Sequence, residues 1–484
     1  MEPSRTARSI GYAGGAFLLV HGLYLGAGVR FDDALLADFW QTLDPVLLRD
    51  RLLESLGALH SQPPLFNLFL GVVLKLGGAW PAPVLHAVYL GAGLGLYLAL
   101  LGLLRQLGVS RPVAITASTL FMASPAFVLY EHWAFYAFPL TALLTGSAWL
   151  LAAALERPTG GRVLAFFGLV AVLCATASPF HLAYYVLVAA GLALAARGRR
   201  GIWLRGAAAP LLLLLALYGH HLLWFGAFTT YSWTWMSAAK VTLRHVPRAE
   251  RARLVAAGAL SPLALITPFS AVEAYPAEYR RVPARYVGIP ALAATTKSTG
   301  AVNYNHAAYL AIAAQYGRDT RYVIRHYPEA VLAGVGTAWL YYFRASTDYP
   351  FFGENRAAIR ALVAGAEGLL GRVPSPIPYA LDPRDRSDLY PVLLVGLPLL
   401  VGFGLRVARG RNAAGTARSP AQRLVIGYVT FAVVYVALVA NTLEVVENNR
   451  FRFLTEPLAV VLLALWVDQL RTRRRAGREA PGLC

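Results

Sequence analysis

Long apolar runs separated by short, arginine-bearing turns dominate this chain. A helix needs about 20 mostly apolar residues to cross the hydrocarbon core of a bilayer. Ten runs meet that need, near 9–29, 84–104, 112–130, 137–155, 163–179, 181–197, 206–226, 389–407, 423–441 and 453–470. They predict an all-α polytopic membrane protein of about ten transmembrane helices. The first run follows Arg5 and Arg8 and reads as a retained signal anchor. Two shorter apolar stretches read as interfacial helices: 64–80, which starts at Pro63-Pro64 and contains Lys75, and 328–343.

Amphipathic patterns fill the first connection, 30–83. Leu35, Leu36, Phe39, Trp40 and Leu43 share one helical face. Asp44 then Pro45 forms a cap and a first-turn proline, and Leu48, Leu52, Leu56 and Leu59 make the stripe of a second helix. Arginines fix the orientation. Arg105 and Arg111, Arg157 and Arg162, the cluster Arg197 to Arg205, the run Arg406 to Arg423 and the tail from Arg471 to Arg478 mark cytoplasmic turns and a cytoplasmic C-terminus. The N-terminus is then cytoplasmic too, and segments 30–83, 130–138, 227–388 and 442–452 face outward. Three regions follow: a membrane module over 1–226, a large outer-side insertion over 227–388, and a three-helix module with a basic tail over 389–484.

Composition agrees with a lipid-facing chain, since 57% of the 484 residues are hydrophobic and only 14% charged. The net charge of +19 belongs to cytoplasmic turns and anionic head groups rather than to nucleic acid. Cys174 and Cys484 give no disulfide framework and no metal-ligand spacing. The Ala, Gly and Arg bias suits a bacterial cytoplasmic membrane.

Candidate chemistry gathers in the outward segments. Asp32 and Asp33 follow the first span directly, where a partly desolvated carboxylate can act as a general base or hold a metal. Asp44, Asp50 and Glu54 read as caps and solvated faces. Glu131 and His132 place a carboxylate and an imidazole between two spans, and either lines a site or meets head groups. Arg450 and Arg452 suit a phosphate or, alternatively, snorkel to the interface, with Glu447 beside them as an orienting group. Adjacent His220 and His221 point to different helix faces and make no metal pair. Tyr231, Trp233 and Trp235 read first as an interfacial belt and second as a sugar platform.

An acidic pair after the first span, the juxtamembrane helices, the run ALHSQPPLFNLFLG (58–71) and the loop ENNRFRFLTEPL (447–458) together resemble the GT-C class of membrane glycosyltransferases. That class includes protein O-mannosyltransferases and lipid A aminoarabinose transferase. Its members carry a His-Pro-Pro-Leu type of motif, and here Ser61 and Gln62 stand between His60 and Pro63-Pro64-Leu65. The resemblance is architectural, spans the chain and rests on short motifs. It implies transfer of a sugar from a polyprenyl-phosphate donor to a glycan, lipid or protein acceptor on the outer face of the membrane. Asp32 or Asp33 would be the catalytic carboxylate, with His60, Glu131, Arg450 and Arg452 around the donor. A divalent metal ion serves some members of the class and not others. The rival reading is a transporter or flippase of a lipid-linked or small solute; nearly charge-free spans and the lack of an internal repeat weigh against it.

Overall fold

The computed structural model describes residues 5–77, 82–196, 198, 200–378, 386–410 and 418–478. Arg197, Arg199 and Cys484, each used in reading the sequence, lie outside those residues. The chain is 73% helical. It opens with α1 (Arg5–Gly26), followed by a loop carrying α2 (Pro45–Asp50), α3 (Leu52–Gly57) and α4 (Leu65–Gly77). The apolar helices α5 (Ala82–Gln106), α6 (Arg111–Met122), α7 (Pro125–Glu131), α8 (Ala137–Glu156), α9 (Gly160–Thr176), α10 (Leu182–Ala195) and α11 (Arg200–Phe225) come next. The insertion holds α12 (Thr234–Thr242), α13 (Arg248–Ala256), α14 (Pro290–Ala293), α15 (Ala308–His326), α16 (Pro328–Tyr342), α17 (Gly353–Ala358) and α18 (Arg360–Leu369), then strands β1 (Val373–Pro378) and β2 (Arg386–Leu389). The chain closes with α19 (Pro391–Ala408), α20 (Pro420–Leu443), α21 (Asn448–Phe453) and α22 (Glu456–Arg478).

Helices coincide with all ten apolar runs, and by length and composition five of them, α5, α8, α11, α19 and α20, can each cross a membrane alone. The pair α6 and α7, bent by 53°, makes a sixth candidate when the two are taken as one broken span. The bend has a local cause. Ser124 Oγ accepts from Phe127 N at 3.3 Å and Pro125, lacking an N–H, restarts the helix. The apolar parts of α1, α9 and α10 are shorter, and α22 carries Asp468, Arg471 and Arg473 toward its end. Pro210 and Pro398 sit inside α11 and α19, where neighbouring groups in a bundle tolerate the lost hydrogen bond. This is a multi-pass membrane protein.

Most of these helices share one apolar core running from Ala13 to Leu465. A second core, around Trp233, Met236, Leu263, Tyr309, Ile312 and Tyr316, belongs to the insertion. The insertion is tied to the bundle as well: Tyr349, Phe352, Ile359 and Val363 join the larger core, and α16 packs on α20 and α21.

Local structure departs from the sequence reading in three places. The helix expected over Leu35–Leu43 is a series of turns. Lys297 Nζ donates to the carbonyls of Ala37 and Phe39 at 3.0 and 2.8 Å, taking acceptors a helix would use for itself. The second amphipathic helix breaks at Arg51 into α2 and α3, although Asp44 caps it as expected, accepting from Val46 N at 2.8 Å. The all-α expectation also omits the antiparallel pair β1–β2. Pro374, Pro376 and Pro378 forbid a helix there and confine the segment to edge pairing.

Candidate functional site

Where the insertion meets the bundle lies a cavity of about 520 Å³. Phe39 and Trp40 come from the first loop, Trp133 and Phe135 from the turn between α7 and α8, Tyr231 and Trp233 from the approach to α12, Phe269 from the insertion, and Tyr349 and Phe351 from the segment after α16. The rings pack on one another: Phe39 stands edge-on to Trp133, Phe135 and Phe351 at 4.9 to 5.6 Å, and Trp40 stacks on Phe269 at 5.3 Å. Such a wall offers flat apolar faces to a ring-shaped ligand. Tyr231 and Trp233 thus join the wall, whereas Trp235 lies under Arg321 at 4.9 Å.

Charged groups complete the lining. Lys240 on α12 pairs with Glu444, the last-turn cap of α20, whose carboxylate also accepts from Val445 N at 2.8 Å. Arg244 follows one turn after Lys240, and Arg251 donates to the carbonyls of Val246 and Ala264 at 3.1 and 2.5 Å. Glu447 accepts from Arg450 Nη2 at 2.5 Å and from the Tyr349 hydroxyl at 3.3 Å. Burial raises the Glu447 carboxyl, but Arg450 and Lys240 more than offset this and hold it below its ordinary range. Asn448 Nδ2 sews this loop to α20 by donating to Asn441 Oδ1 at 2.8 Å and Glu444 O at 3.0 Å.

The backbone is strained at the same place. Among the described residues only Phe269 and Val446 have positive φ without being glycine, at 65° and 98°, and both line this cavity. A β-branched valine in that region is costly, and such conformations persist where surrounding structure over-determines them, often at functional sites.

A second, almost wholly apolar groove of about 660 Å³ runs along α4, α5, α8 and α9, lined by Phe66, Val88, Leu143, Trp149, Leu169 and neighbours. One partition divides it from the aromatic cavity. Tyr136 lines the groove, Phe135 lines the cavity, and Phe66 packs on both rings at 5.5 and 6.0 Å. Arg450 is buried against this partition, 4.9 Å from the Phe135 centroid and 5.4 Å from that of Tyr136. Its Nε and Nη1 make no well-formed hydrogen bond among the described residues. Glu447 takes Nη2 and the Tyr136 hydroxyl stands close to the guanidinium, which leaves Nε and Nη1 as the donors an anion would satisfy.

The other expected residues have varied placements. Asp32 pairs through its backbone with the turn after α7, bridging to Trp133: its N–H donates to His132 O at 2.7 Å and its carbonyl accepts from Ala134 N at 2.8 Å. The acidic pair therefore stands beside the segment carrying Trp133, and neither carboxylate lines the cavity itself. Asp32 Oδ1 accepts from Ala34 N at 3.1 Å. Asp33 is half-buried and has no ion pair among the described residues; burial, then the charge of Asp32, raises its carboxyl. His60 lies away from the cavity. Its ring is 1% exposed, with Nε2 donating to Asn305 O at 2.9 Å and Nδ1 facing Ser232 Oγ at 2.8 Å. Burial lowers it to about 3, so it is a neutral fastener between the first loop and the insertion. Arg452 spends its donors on Glu456, Tyr342 O and Ser346 Oγ, clamping α21 and α22 to the end of α16.

Glu131 turns inward instead of toward the cavity. It pairs with His21 of α1, and His132 Nδ1 is 3.8 Å away. His86 stands edge-on to His132 with centroids 5.2 Å apart. Gly93 leaves room for Glu131, since a Cβ there would collide with its carboxylate. His21 was legible as the one residue inside the first apolar run whose charge can change near neutral pH, and Lys240 with Arg244 as a basic pair at helical spacing. No group of three His, Cys, Asp or Glu side chains among the described residues is arranged to hold a metal ion. No family model matches the chain, and no curated protein or solved structure is significantly similar to it.

Proposed function

We propose that this protein is a GT-C-type glycosyltransferase that moves a sugar from a polyprenyl-phosphate donor to an acceptor at the outer face of a bacterial cytoplasmic membrane. One observation carries the reading: an apolar groove and an aromatic, charged cavity meet at a partition backed by a buried arginine with unused donors. An amphipathic donor fits that layout. Its chain lies in the groove, its phosphate takes Arg450, and its sugar lies against the rings of the cavity.

In the transfer, the acceptor oxygen bonds to the anomeric carbon as the bond from that carbon to the phosphate oxygen breaks. The phosphate leaves with the electron pair, stabilised by Arg450, and the acceptor proton passes to a carboxylate. Asp33, which stands beside the cavity wall at Trp133, is the base of this proposal, because it is partly desolvated and has no ion pair among the described residues, whereas Glu444 and Glu447 in the lining are each already paired with a cation. The spans number about ten, with α1, α9, α10 and α22 crossing beside the six longer candidates, and the insertion faces outward. The expected product is a glycosylated acceptor formed from a lipid-linked sugar by the purified protein; activity with a nucleotide sugar alone would defeat the reading.

A second reading, as a transporter or flippase, is favoured by the His21–Glu131 pair buried between helices, since ionisable groups inside a bundle often mark a transport path. Flux of a lipid-linked sugar across proteoliposomes without any new glycosidic bond would favour it.

A further inference from the structure

We infer that the acceptor bound in the aromatic cavity carries a phosphate or carboxylate of its own, recognised by Arg244 and Arg251. This rests on the transferase reading above and adds a second anionic subsite to it. Of the cations at or behind the cavity wall, Lys240 has Glu444 and Arg450 has Glu447. Arg244 and Arg251 line the same space and have no carboxylate partner among the described residues.

Free solvation accounts for an exposed arginine such as Arg244 taken alone. It does not account for Arg251, which is half-buried and held rigid by the carbonyls of Val246 and Ala264 while its charge stays uncompensated. A guanidinium fixed by two carbonyls loses little freedom on binding and presents its remaining donors to an oxygen ligand. Arg244 follows Lys240 by four residues, which puts both on one side of α12 and its terminal turn. The strained Phe269 and Val446 belong to this cavity as well, so the lining is held in shape before a ligand arrives.

The test uses full-length protein in lipid nanodiscs, followed by the tryptophan fluorescence of Trp40, Trp133 and Trp233, which line the cavity. Methyl glucoside, glucuronate and glucose 6-phosphate are the probes, a neutral ring and two anionic ones. At least one anionic probe should bind about tenfold or more tightly than the neutral ring, the scale of one charge-assisted contact. The choice between glucuronate and phosphate then names the anion. Arg251→Ala should abolish that advantage, Arg244→Ala should lower it severalfold, and Arg450→Ala should leave it in place. Equal affinities in the wild type would overturn the inference. So would an advantage lost in Arg450→Ala and kept in Arg251→Ala, which would assign the anion to the donor phosphate. If the preference stands while no glycosyl transfer is found with any donor, the anion subsite survives and only the catalytic reading falls.

Discussion

Asp33 and Arg450 divide the proposed chemistry between a base and an anion holder, and their surroundings predict different failures. Asp33→Asn keeps shape and removes proton acceptance, so turnover should fall by about 100-fold or more with little change in thermal stability. Asp32→Asn should be milder, because that residue works mainly through its backbone bridge and its turn. Normal turnover in both single variants and in the double would remove the acidic pair from the mechanism. His60 makes a prediction about pH instead. Its folded value near 3 lies below the ordinary 6.5, so the unfolded chain binds the proton more readily. The stability it contributes is complete above 6.5 and is lost as pH falls from 6.5 toward 3. Protection factors for hydrogen exchange at residues 58–62 and 303–306, taken relative to the intrinsic rate at each pH, should fall across that window in the wild type, and His60→Gln should flatten this dependence.

Elements were legible where one periodic signal decided them. The ten apolar runs became helices because a long lipid-facing segment has no other way to satisfy its backbone. Leu35–Leu43 failed as a helix because Lys297, distant in sequence, competes for its carbonyls, and no local pattern announces that. The α12–α16 crossing supplies a test at this scale. Gly334 sits so close to the Val241 carbonyl that any Cβ would collide with backbone. Gly334→Val should therefore part the two helices and cost about 1–3 kcal/mol, the usual range for overpacking. A thermal midpoint unchanged from wild type would show that this crossing is looser than its geometry implies. Gly336 has open space at the same helix, so Gly336→Val is the matched control.

At the scale of the whole molecule, the site was only partly legible. Arg450, Glu447, Tyr231 and Trp233 were named from the sequence and lie at or behind the cavity, but its remaining wall comes from Phe39, Trp133, Phe269 and Tyr349, which tertiary packing alone brings together. The apolar groove was hidden for a different reason: its residues read simply as parts of spans. Sidedness can be checked directly. Cysteines at the exposed positions Ala277 and Thr299 should react with an impermeant thiol reagent in intact cells, and one at Arg409 should not. Labelling at Arg409 alone would invert the topology and move the cavity to the cytoplasmic side.

The central claim is that the cavity and the groove together hold a lipid-linked sugar during transfer. Purified protein given a panel of polyprenyl-phosphate sugars and a membrane extract as the source of acceptor, with products read by mass spectrometry, tests it most directly. The account predicts a new glycoside from at least one lipid-linked donor, release of the polyprenyl phosphate, and loss of about 100-fold or more of the rate in Arg450→Ala. A glycoside formed equally well by Arg450→Ala, or from a nucleotide sugar without any lipid-linked donor, would contradict it.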